Sequence, residues 1–94
     1  MEIIRANEIY KELCQTTFVC KNEYTIFYDV LNYIWDQNSM NEDTDHYTER
    51  CAKRIMVQMY DHYNDREVYF DSMNRLDKFE YFKEFAYQKL DECR

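Results

Sequence analysis

Residues 22 to 36 read NEYTIFYDVLNYIWD. Tyr24, Phe27, Tyr28, Leu31, Ile34 and Trp35 recur there at helical spacing, and Ile26, Val30 and Tyr33 widen the apolar face. Asn22 suits the N-cap, where a short polar side chain can accept from an otherwise unsatisfied backbone N–H. What remains is one narrow polar stripe, Asn22, Thr25, Asp29, Asn32 and Asp36, repeating at i, i+3, i+7, i+10 and i+14. A helix apolar over most of its circumference belongs in the middle of a helical assembly. This segment is therefore expected to be the central, most buried helix, with its polar stripe outward and Asp29 and Asp36 about 10 Å apart along the axis.

Working outward, Ala6, Ile9, Tyr10, Leu13 and Cys14 form one helical stripe within residues 4 to 15. Residues 16 to 20 follow as a β-branched and aromatic run that suits an extended connector or a small strand. On the other side, the polar loop from residue 37 to 43 carries Ser39 and Glu42 in capping-box spacing, with Asp43, Thr44 and Asp45 as later candidate caps. The next helix should run to about Asn64, because Tyr47, Cys51, Ile55, Met59 and Tyr63 step by four beside a second row of Ala52, Met56 and Tyr60. Residues 67 to 70 are again β-prone. Asp71 or Ser72 then opens a last helix to about Glu92, with Met73, Leu76, Phe79, Phe82, Ala86, Leu90 and Cys93 as its buried face. The expected fold is all-α, a compact bundle of about four helices in a single domain over residues 1 to 94. The alternative is an α+β fold with a minor two-strand element from residues 16 to 20 and 67 to 70.

Composition narrows the choice further. The 94 residues contain no glycine and no proline. Without glycine the tight type I′ and II′ hairpins lose their usual building block, which disfavours many-stranded sheets. Neither a P-loop nor a dinucleotide-binding fingerprint can be written in this alphabet, so nucleotide chemistry of those kinds is excluded. The hydrophobic share of 46% and aromatic share of 18% are too high for a disordered chain. No apolar run approaches the ~20 residues needed to span a bilayer, so no membrane insertion is expected. Four cysteines, at 14, 20, 51 and 93, follow an opening with charged Glu2 and Arg5 and no apolar leader. Reduced thiols and a cytoplasmic location are the expectation.

Charge is the second informative pattern. Formal net charge is −7, from 19 acids and 12 bases. Residues 22 to 49 hold seven of the acids, Glu23, Asp29, Asp36, Glu42, Asp43, Asp45 and Glu49, and no Lys or Arg, so the rest of the chain is balanced. A field of one sign attracts cationic partners and repels nucleic acid and anionic membrane. Helix capping and dipole stabilisation account for part of the cluster at residues 42 to 49 without any partner.

The motifs that carry chemistry are missing. Cys and His are zinc ligands, but Cys14 and Cys20 are six apart, the other cysteines fall on other helices, and His46 and His62 supply no local knuckle. An EF-hand frame starting at Asp36 puts Met40 at a ligand position, Asn41 at the turn glycine and Tyr47 at the bidentate glutamate. Cys51 and His46 do not share a helix face, and exposed pairs such as Asp43 and Asp45 have no desolvation to shift them. No enzymatic activity, metal or cofactor is expected. With a sequence pI near 4.7, direct nucleic-acid binding is not expected either.

What remains is protein binding. In general character the chain resembles the small acidic proteins that phages use against host restriction and CRISPR nucleases. That resemblance implies an inhibitor whose acidic face stands in for nucleic acid in a basic groove of a host protein. At roughly one charge per 1.7 Å of duplex, seven carboxylates would imitate about 12 Å of DNA, enough for a plug in a restricted groove. The contact residues would be Asp29, Asp36, Glu42, Asp43, Asp45 and Glu49, with Tyr24, Tyr28, Tyr33 and Tyr47 as aromatic anchors beside them. The alternatives are a structural or homo-oligomerising helical module, and an oligomeric sponge for a small nucleotide with Lys11, Lys21 or Arg66 turned inward from several chains.

Overall fold

A computed structural model describes residues 6–19, 21–38 and 49–93. These form α1 (Ala6–Thr16), a 3-10 turn over Asn22–Tyr24, α2 (Thr25–Asn38), α3 (Glu49–Asp65), α4 (Glu67–Asp71) and α5 (Arg75–Cys93). The fold is an all-α bundle, and no strand occurs among the described residues. The central position expected for residues 22 to 36 is the one α2 occupies. Ile26, Phe27, Val30, Leu31 and Ile34 are at most 1% exposed. α2 packs on α1, α3 and α5, and shares its largest interface with α5.

Each partner helix contributes one stripe, as a 3.6-residue period requires. α1 supplies Ala6, Ile9 and Tyr10, α3 supplies Ala52, Ile55, Met56, Met59 and Tyr63, and α5 supplies Phe82, Ala86 and Leu90. The centre is aromatic. Phe82 lies 5.2 Å from Phe27, 5.0 Å from Phe70 and 6.1 Å from Tyr63 between ring centroids, so four elements meet on one side chain. Buried tyrosines keep their hydroxyls bonded: Tyr10 donates to the Lys21 carbonyl (3.0 Å), Tyr24 to Asn64 Oδ1 (2.8 Å) and Tyr63 to Asp71 Oδ1 (2.6 Å). A tyrosine can thus serve as core and still end on a polar partner, which lets the bundle absorb so many aromatics.

Both β-prone runs are resolved differently from the two-strand alternative. At the first, the amides of Thr17 and Phe18 each donate to the Leu13 carbonyl at 2.6 Å and close α1. Phe18 then stacks on Tyr60, 4.1 Å between centroids, and the Val19 amide donates to the Tyr60 hydroxyl. The second run is helical. Phe70 is fully buried and its amide donates to the Arg66 carbonyl at 3.0 Å, so core burial of one ring and local i to i−4 bonding override the strand preference of Val68 and Tyr69. No residue among those described has positive φ, so the helix ends dispense with the left-handed caps for which glycine is preferred.

Two further expectations are corrected. Leu76, placed on the buried face of the last helix, is 70% exposed, because it lies in the first turn of α5, where the apolar stripe runs past the edge of the core. Cys14 is disulfide-bonded, against the expectation of four reduced thiols, since cysteine spacing alone carries no pairing information. Cys51 is a buried thiol on α3, as its place on the apolar stripe implies.

His62 sits half-buried between α3 and α5. Its Nε2 is hydrogen-bonded to the Tyr81 hydroxyl at 2.7 Å, and the rings of Phe85 and Phe70 lie 4.9 and 5.7 Å away. Burial, and then the nearby Arg66 charge, hold its pKa below the ordinary value of 6.5; Asp65 opposes this and Lys89 adds to it. The fold therefore prefers the neutral ring. Its contribution is complete above the unfolded-state pKa and is lost as pH falls through that value towards the lower folded one. In urea denaturation between about pH 7.5 and 5, the midpoint should fall with acidity, and His62→Phe should flatten part of that slope. Parallel curves for the two proteins would show that His62 contributes nothing to it.

Candidate functional site

The polar stripe, expected to face outward, is exposed at Asn22 and Asp36 and half-buried between them at Thr25, Asp29 and Asn32, where it meets neighbouring elements. Asp29 Oδ2 pairs with Arg75 Nη2 of α5 at 2.5 Å, and Arg75 Nη1 reaches Thr25 Oγ1 at 3.4 Å. Asn32 Oδ1 accepts from the Ala6 amide at 3.0 Å, so a side chain of α2 satisfies one of the open donors at the start of α1. The Asp29 pair is exposed and worth at most about 1 kcal/mol, yet its charge is matched within the chain. Asp36, near the end of α2, is exposed. Glu49 opens α3, while Glu42, Asp43, Asp45 and Tyr47 lie outside the described residues.

The three described tyrosines divide. Tyr24 is 1% exposed, wedged against Phe27, Tyr60 and Tyr63, so it is a core residue and not a partner contact. Its place on the apolar stripe of the sequence had already pointed that way. Tyr28 is half-buried with its ring edge-on to Tyr10. Tyr33 is 38% exposed, edge-on to Phe79 and with Lys83 Nζ 5.6 Å from its ring centroid, and remains available at the surface.

A different feature was not anticipated. Lys21, Glu23, Tyr24, Tyr63, Glu67 and Asp71 line a cleft of about 260 Å³ where the 3-10 turn, α3 and α4 meet. Glu67 and Asp71 are four apart and reach it from one face of α4, because Phe70 anchors that short helix to the core. Lys21 Nζ lies 3.1 Å from Glu67 Oε1 and 5.8 Å from the centroid of Tyr24. The hydrogen bond to Glu67 raises the Lys21 pKa. Burial, and then the bond to Asp71, raise that of Tyr63 far above the ordinary tyrosine value, so its hydroxyl stays a proton donor. That residues 67 and 71 share a face lining one cleft could be seen in the sequence only by assuming a helix there.

No family model, curated protein or solved structure matches this chain. Its chemistry is thus read from its own residues. Among those described, no group of three or more His, Cys, Asp and Glu is arranged to hold a metal ion, and no helix is long and apolar enough to cross a membrane. The ion pairs Lys53–Glu12, Lys83–Glu80 and Lys89–Glu92 are drawn from outside residues 22 to 49, and within that stretch Asp29 pairs with Arg75 at 2.5 Å. Of the bases assigned to a nucleotide sponge, Lys21 is occupied with Glu67, and Lys11 and Arg66 are exposed.

Proposed function

We propose that this chain is a small acidic protein-binding module that presents residues 36 to 49 to a basic surface of a partner, of the kind that otherwise holds nucleic acid, and so inhibits it. The observation that supports this reading is the distribution of charge along the sequence. Residues 36 to 49 carry five acids and no Lys or Arg, whereas twelve acids and twelve bases balance outside residues 22 to 49. A concentrated field of one sign steers a cationic partner and discriminates against acidic ones. Tyr33, at the surface of α2 three residues before Asp36, supplies an aromatic contact.

The experiment is a pulldown with the full chain at about 50 mM and about 500 mM salt, where screening separates electrostatic from apolar association. The partner should be retained at low salt and lost at high salt. Reversing Asp36, Glu42, Asp43 and Asp45 to Lys should abolish retention while the circular dichroism stays helical. Binding that survives the reversal sinks the proposal.

A further inference from the structure

Among the described residues, α4 carries two adjacent exposed apolar side chains. Val68 is 86% exposed and Tyr69 54% exposed, side by side on a five-residue helix whose other apolar residue, Phe70, is fully buried. The same helix turns Glu67 and Asp71 into the cleft, where Glu23 faces them from the 3-10 turn. Three carboxylates thus surround one ammonium. Lys21 neutralises Glu67, Asp71 is engaged only by the uncharged Tyr63 hydroxyl among the described residues, and no ion pair within those residues involves Glu23. The cleft keeps an excess of negative charge beside an exposed apolar pair.

Lys21 itself shows what the cleft accommodates, since its ammonium sits against a carboxylate and close to a tyrosine ring. We propose that α4 and this cleft form a docking surface for a partner protein segment in which a lysine or arginine stands among apolar side chains. The cationic group enters between Glu23, Glu67 and Asp71, and its apolar neighbours cover Val68 and Tyr69. Charge complementarity selects this occupant. A second copy of the chain would bring another net charge of −7 to an already acidic face, and an inorganic ion would need a ligand arrangement that the described residues do not form. The surface shares no residue with the segment at 36 to 49, so it stands or falls separately.

The test is a titration of the full chain, followed by two-dimensional amide NMR, with the peptide acetyl-Leu-Arg-Leu-amide and with its counterpart carrying Gln in place of Arg. The Arg peptide should give saturable shifts at Glu23, Glu67, Val68, Tyr69 and Asp71, with affinity at least about fivefold above the Gln peptide. Glu23→Gln should weaken the Arg peptide by about threefold to tenfold, and the pair Val68→Ser with Tyr69→Ser should do the same. All three positions are exposed, so the core resonances should be unmoved in both variants. Absence of saturable shifts, or equal affinity for the two peptides, overturns the inference. Shifts confined to residues 36 to 49 overturn it too while leaving the proposed function standing, and a dimer broken by Val68→Ser would assign the face to a second copy instead.

Discussion

Phe82→Ala should cost about 3–5 kcal/mol of folding stability, the range for truncating a buried phenylalanine. Phe82 is fully buried and its ring meets Phe27, Tyr63 and Phe70, from α2, α3 and α4. No single helix can move inward to refill the space, because each is held against its other neighbours by the same set of rings. A domain of this size has roughly 5–15 kcal/mol in total, so the variant would be marginal. The melting temperature should fall by roughly 15–30 °C in a thermal scan. Leu76→Ala is the control. It lies on the same helix and on the same stripe of the sequence, but is 70% exposed and should change stability by no more than about 0.5 kcal/mol. Equal losses for the two would refute the packing of α5.

Tyr24→Ala should be nearly as damaging, at about 3–5 kcal/mol. The ring is stacked on Phe27 at 5.4 Å and edge-on to Tyr60 and Tyr63 at 5.1 and 5.2 Å. Tyr24→Phe keeps those contacts and loses only the hydrogen bond to Asn64, a net change of about 0.5–1.5 kcal/mol. Tyr33→Ala, at a position 38% exposed, should leave the melting temperature much closer to that of the parent. This ordering separates the core role of Tyr24 from a contact role. A Tyr24→Ala protein that melts with the parent and fails only in partner binding would return it to the surface.

These contrasts mark where sequence reading succeeds. The helical period of residues 22 to 36 was legible because a helix surrounded by partners must show apolar residues on most of its faces, and α2 does. Residues 67 to 70 were misread because strand preference is largely a statement about packing context, and the context here is a pocket for Phe70 alone. Leu76 was misread because periodicity says which residues share a face but not where along the helix its neighbours stop. The stripe carrying Asp29 and Asn32 was recognised as polar, but its partners, Arg75 and Ala6, are 46 and 26 residues away. Long-range pairing of that kind leaves no mark in a local pattern. The cleft was invisible for the same reason, since it joins residues from 21 to 71.

The helix α4 has a consequence for how any face it displays is governed. Five residues are too few for a helix to persist by itself, so its shape is borrowed from Phe70 in the core, the Tyr63 to Asp71 bond and the Lys21 to Glu67 pair. It behaves as a latch with an interior hinge pin. Loosening the pin would release the outer surface while the four longer helices stay in place, through a local opening rather than global unfolding. Recognition at α4 would then be tuned from inside the protein, by residues that no partner ever touches.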